Sequence, residues 1–176
     1  MKTKYLLFLI AIIFCFNQCK KDHSPTPDNP YGLPNATQTG AGVFACRING
    51  RNFIAGKQPY YLNGAQLQGS DTIAISGQPS NGKYFEFISL TIKGNLNEGA
   101  TYSIDSIKTI AALATDSTCL GISSNVITSF SKVGIVILTR FDKSNKIVSG
   151  TFNCAFPIPN CDTLTITDGR FDYHYQ

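Results

Sequence analysis

The chain has 176 residues, with 15 Lys and Arg against 11 Asp and Glu, and charged residues make up only 15% of it. That length suits one domain with a respectable core, and a charge so near balance argues against nucleic acid as a partner. Little charge with abundant Thr, Ser, Asn and Gly is the composition of exported β-proteins rather than of helical cytosolic ones.

Lys2 and Lys4 precede an unbroken apolar run from Tyr5 to Phe16, and Asn17-Gln18-Cys19 ends it. This is the anatomy of an export signal. Twelve apolar residues reach roughly 18 Å as a helix, short of the ~30 Å hydrocarbon core, so the run reads as an address rather than a span. Its end resembles the lipobox of type II bacterial signal peptides, although Phe16-Asn17-Gln18 stands where aliphatic and small residues are usual. The resemblance implies that residues 1–18 are removed and that Cys19 becomes the acylated, palmitate-bearing first residue of a lipoprotein. Lys20-Lys21-Asp22 continues like the mature start of many Bacteroidota lipoproteins. Two or three acyl chains, at roughly 0.8 kcal/mol per buried methylene, anchor a protein stably. Lys20-Lys21 is not the acidic run that resembles a surface-export signal, so the periplasmic face of the outer membrane is favoured over the cell surface.

Residues 19–42 form the next unit: the lipidated Cys and a tether holding Pro25, Pro27, Pro30 and Pro34 among small polar residues without apolar periodicity. The 23 residues after Cys19 would, in polyproline geometry at about 3.1 Å each, hold a domain up to ~70 Å from the bilayer. Residues 43–176 are the domain, and they read as all-β. Val43–Ile48 and Arg51–Ala55 flank Asn49-Gly50, the dipeptide best suited to a type I′ hairpin turn, and Phe44, Cys46 and Ile48 alternate toward a core. Strands are expected at 71–76 and at 84–93, the latter central, with Ile88, Leu90 and Ile92 on one face and Phe85 and Phe87 on the other. Asn95–Gly99 turns the chain into 100–104. The stretch 105–123 has the least pattern, with room for a short helix at 106–114. Strand-like runs follow at 126–130, 133–141, 146–156, 163–167 and 169–175; Asp142 opens a type I turn, and Asp168-Gly169-Arg170 reads as a hairpin turn. About ten antiparallel strands with turns every eight to twelve residues argue for a β-sandwich, with a closed β-barrel as the alternative.

Three segments carry a family resemblance: Leu33–Gly40 followed by Phe44–Gly50, then Ile147–Phe152, then Ile166–Asp172. Together they resemble an uncharacterised family of small Bacteroidota lipoproteins, over most of the mature chain. The resemblance implies a lipoprotein with an all-β domain and assigns no activity, ligand or catalytic residue.

Four cysteines lie in the exported domain, an even number in an oxidising compartment, where two disulfides are the expectation. Cys154 and Cys161 flank a loop short enough to join them, which leaves Cys46 with Cys119; a core pairing of Cys46 with Cys154 is nearly as good, and four reduced buried thiols remain an alternative. Without a C-x-x-C spacing, and with two His in the chain, no metal site is expected, and no cofactor either. Catalytic material is thin. His23 falls in the tether, and His174, beside Asp172, would have to serve any Ser-His-Asp triad but reads as solvated. Glu86 and Glu98 would act as a glycosidase pair only if brought to about 5–10 Å. Tyr60, Tyr61, Tyr84, Tyr173 and Tyr175 are amphipathic aromatics of the type that anchors interfaces or stacks on sugars, although Trp is absent. The expected function is therefore a lipid-anchored, non-catalytic binding or assembly module of the cell envelope, meeting an envelope protein, a small ligand or a glycan. A barrel-type small-ligand carrier and a hydrolase of envelope or glycan substrates are the rivals.

Overall fold

The computed structural model describes residue 25 and residues 29–56, 63–79, 85–115, 126–158 and 161–176. Among these residues every regular element is a strand: β1 (Val43–Ile48), β2 (Arg51–Ile54), β3 (Gly64–Gln68), β4 (Thr72–Gly77), β5 (Glu86–Lys93), β6 (Thr101–Ser103), β7 (Thr109–Thr115), β8 (Ile127–Phe130), β9 (Val133–Asp142), β10 (Ile147–Phe156) and β11 (Leu164–His174). They form two antiparallel sheets, one of six strands ordered β2-β1-β11-β10-β9-β6 and one of five ordered β3-β4-β5-β7-β8. The fold is thus the expected sandwich and not the barrel. One corner is stitched: past β11, Tyr175 bridges Ala65 in parallel, the Leu67 amide donates to the Gln176 carbonyl (2.9 Å), and the Gln176 amide donates to the Ala65 carbonyl (3.2 Å).

The β1–β2 hairpin turns on Asn49 (φ 46°) and Gly50 (φ 83°), the paired positive angles of a type I′ turn. The core divides by residue type. Phe44, Phe53, Phe152 and Phe171 line the inner face of the six-stranded sheet, with Phe44 and Phe152 ring centroids 5.3 Å apart and Phe152 and Phe171 6.3 Å apart. Ile73, Ile75, Ile88, Leu90, Ile92 and Leu113 face them, fully buried, from the five-stranded sheet. Each large side chain so buried contributes about 1.5–3 kcal/mol relative to exposure.

Four expectations change. The possible helix at 106–114 is strand β7: Thr109, Ala111, Leu113 and Thr115 alternate into the core and the strand pairs with β5 along Thr109–Thr115. Packing overrides the helix preference of its alanines. The runs 163–167 and 169–175 are one strand, because Asp168 (φ 55°) and Gly169 make a bulge where the register with β1 and β10 shifts, rather than a hairpin turn. Strand β3 has no counterpart in the expected list. And the domain does not begin at residue 43, since residues 29–42 lie packed on the six-stranded sheet as a strap in which Leu33 has 0% exposure.

Candidate functional site

The strap crosses the outer face of the six-stranded sheet and is fastened along its length. At its start the Arg47 guanidinium lies 3.7 Å from the Tyr31 ring centroid, and the Asn52 side-chain amide donates to the Tyr31 carbonyl. Arg170 on β11 donates to the Pro34 carbonyl (3.2 Å), and Arg140 on β9 donates to the Gln38 carbonyl. The firmest point is Asp172, 1% exposed. Its carboxylate accepts from the Thr37 hydroxyl (2.6 Å), from the amides of Thr39 (3.0 Å), Gly40 (2.8 Å) and Ala41 (3.0 Å), and from the Ser149 hydroxyl (2.7 Å). Burial alone would raise the pKa of such a group. The hydrogen bonds from Thr37, Ala41, Ser149 and Thr39 outweigh it and hold the pKa at about 2, because all five donors favour the anion. Gly40 completes the clasp: at φ +73° its Cα lies under the His174 ring, and a Cβ there would stand 2.4 Å from His174 Cδ2.

Beyond the strap, none of the described residues covers the same outer face. Val133, Ile135 and Ile137 on β9 pair with Ala155, Asn153 and Thr151 on β10, so these side chains share one side of the sheet, while Val136, Phe152 and Cys154 point the other way into the core. With Thr165 and Thr167 of β11 and with Ala36 of the strap they line an open groove of about 790 Å³. Val133 is 60% exposed. Asp168 and Arg170 flank this aliphatic and threonine floor. A second, more polar cleft of about 590 Å³ lies at the stitched corner, between Gly42, Asn63, Gln66, Ser76, His174 and Gln176.

The aromatics expected to bind do not present themselves as a surface. Tyr173 and Tyr175 are 8% and 6% exposed and belong to the core. The Tyr173 hydroxyl donates to the Ser76 carbonyl (3.3 Å), and Tyr175 stacks on Phe141 at 5.6 Å. Their alternation with Asp172 and His174 marked the inward face of β11 and not a platform. Tyr60, Tyr61 and Tyr84 lie outside the described residues, as do Cys19, His23 and Cys119.

Neither proposed pairing of the first set forms, because Cys46 and Cys154 are both buried free thiols. The β10–β11 connection closes at Phe156 opposite Leu164, which puts Ile166 across from Cys154; Cys161 lies outside this ladder, packs against the core and is disulfide-bonded, so the alternative of four reduced thiols does not hold either. The Cys46–Cys154 pairing fails for another reason. β11 runs between β1 and β10, so the two backbones are about 9.6 Å apart, beyond the ~7 Å reach of a disulfide. Burial pushes the Cys154 thiol up to about 12, and burial, with Cys154 and Glu86 nearby, raises Cys46 further. Both are packing residues at neutral pH.

The remaining acids are also tied into the fold. Glu86, buried at the start of β5, pairs with Arg51. Glu98 is exposed in the turn before β6, beyond the far end of β5, which alone spans about 23 Å, so the two do not form a glycosidase pair. Asp105 accepts from the amides of Ile107, Lys108 and Thr109, and Asp142 from the amide and side chain of Asn145 and from Arg140; these bonds lower both carboxyls below their usual range. The Ser149 hydroxyl donates to Asp172, while His174 Nδ1 faces the Asn145 carbonyl at 3.2 Å. A triad needs the imidazole between the hydroxyl and the acid, and this order is different. Among the described residues no group of three His, Cys, Asp or Glu is placed to hold a metal ion. Comparison of the chain with protein-family models, with curated proteins and with solved structures returned no match.

Proposed function

We propose that this protein is a lipid-anchored component of the cell envelope, exported by residues 1–18 and held through Cys19 at the periplasmic face of the outer membrane. In this reading it is a non-catalytic binding or assembly module, and the bare groove of the six-stranded sheet is its contact surface. The export reading rests on the basic start, apolar run and cysteine of the N-terminal segment. The binding reading rests on one observation: a solvent-facing floor of Val133, Ile135, Ile137 and Ala155 on a sheet whose other outward half is covered by the strap. Aliphatic side chains left side by side in water mark contact surfaces more often than isolated ones do.

The test is capture of the native lipidated protein from its own membranes after cross-linking, beside Cys19→Ala and Val133→Asp forms. An envelope protein recovered with the wild type and lost with Val133→Asp is the expected result. Equal recovery with Val133→Asp overturns the groove as the contact surface. If the wild type and Cys19→Ala partition alike between membrane and soluble fractions, the lipid anchor is wrong.

A further inference from the structure

Residues 29–42 have the composition of a linker, yet they make a chain of bonds that ends in a buried carboxylate. We propose that the Asp172 clasp takes these residues out of the tether, so that the domain stands on a leash of residues 20–28 alone. The inference rests on the reading of Cys19 as the anchored residue. Whatever conformation they take, nine residues span at most about 32 Å, whereas all 23 between Cys19 and β1 would span at most about 80 Å. The clasp therefore decides whether the groove stays close to the bilayer or ranges far from it.

Three features make the fastening specific. First, Asp172 is the residue on β11 that pairs with Val43, where β1 begins, and the Gly42 amide donates to its carbonyl (2.8 Å), so one residue holds the strap by its side chain and the strap's exit by its backbone. Second, three successive amides (Thr39, Gly40 and Ala41) converge on one carboxylate, a backbone nest for an anion. Third, Gly40 has the backbone angle and the bare Cα that let His174 close over it. The strap's remaining bonds, to Arg47, Asn52, Arg170 and Arg140, use carbonyls or a ring that water can serve instead, and its one other firm hold is the fully buried Leu33. A partner confined by so short a leash lies in or on the same membrane.

Two measurements test this together. Hydrogen exchange on the full mature chain in its soluble Cys19→Ala form reads the clasp without any lipid: the amides of Thr39, Gly40 and Ala41 are expected to exchange on the order of 100-fold or more slowly than in a free peptide, and Asp172→Asn to remove that protection. Free-peptide exchange in the unsubstituted clasp overturns the proposal whether or not Asp172→Asn folds. Neutron reflectometry of the lipidated protein on a supported bilayer then reads the leash. The wild-type protein layer is expected to begin within about 32 Å of the headgroups, and the layer of a chain carrying Asp172→Asn together with Leu33→Ser, which removes the strap's other hold, to spread toward about 80 Å. A wild-type layer already spread that far overturns the short leash. Protected amides with no protein retained at the bilayer overturn the leash through the anchoring reading and leave the clasp standing.

Discussion

The two halves of the outer face of the six-stranded sheet are built on the same three strands, β9, β10 and β11, and they meet opposite fates. Toward the Asp142–Lys146 turn the outward residues are Asp172, Ser149 and Arg140, and the strap covers them. Toward the other end they are Val133, Ile135, Ile137, Ala155 and threonines, and nothing described here covers them. The strap thus follows hydrogen-bonding capacity and not apolar area, apart from the burial of Leu33. A strap held in this way is positioned mainly by directional bonds, and Asp172 receives more of them than any other residue.

The largest expected effect breaks the covered half. Asp172→Ala leaves the Thr37 and Ser149 hydroxyls and three amides without their shared acceptor. Hydrogen bonds to charge are worth about 1.5–3 kcal/mol, and a buried neutral donor left without its acceptor costs about 1–3 kcal/mol. Urea unfolding of the variant is expected to show a stability loss of about 3 kcal/mol; a loss under about 1 kcal/mol would mean that water replaces the carboxylate without penalty.

Acid should act on the same half. The Asp172 carboxyl is held at about 2 in the folded chain against an ordinary 3.8. A depressed value stabilises the fold fully above the ordinary value, and the contribution disappears as pH falls from about 4 to about 2. At roughly 1.4 kcal/mol per pKa unit the effect is about 2 kcal/mol. The carboxyls of Asp105 and Asp142 are also lowered by their hydrogen bonds, so the measurement is the difference between the wild type and Asp172→Asn across pH 5 to 2. The two stability curves should converge as the pH drops, and parallel curves would remove Asp172 as an acid-sensitive group. A smaller effect is expected of Gly40→Ala. A left-handed residue other than glycine costs about 1 kcal/mol, and the His174 ring must also move aside, so thermal unfolding should report a loss of about 1–2 kcal/mol. His174→Ala in the same background should recover part of it.

How much of this was legible in the sequence follows from where each signal resides. Alternation exposes β1, β5, β9 and β10 because each has a core side and a wetter side, and Asn49-Gly50 announces its turn through backbone angles that few residues tolerate. β7 was misread because Ala-Ala-Leu-Ala prefers a helix locally, and only its neighbours β5 and β8 make it a strand. Gly64-Ala-Gln-Leu-Gln carries two apolar residues, too few to mark β3. The bulge at Asp168-Gly169 uses the same residues as a tight turn and is told from one only by the partners on either side. The clasp was least visible. Its parts, Thr37 to Ala41 and Asp172, lie more than 130 residues apart, and a buried acid on an alternating strand looks identical in sequence to a solvated one. The bare groove was hidden differently, since its residues alternate with core residues and a strand covered on both faces would read the same.

The smallest expected effect is the one that separates the halves most cleanly. Val133 is exposed on the rim of the groove and pairs with Ala155 through its backbone, so Val133→Asp removes no buried contact and leaves the ladder intact. Surface substitutions away from caps and buried groups change stability by about 0.5 kcal/mol or less. Urea midpoints of Val133→Asp and wild type are therefore expected to agree within that margin, while Asp172→Ala, on the same sheet face, is several times more costly. A cost of 2 kcal/mol or more at Val133 would mean that the groove floor is already covered within the chain. The bare half would then be part of the core, and the binding reading would lose its surface.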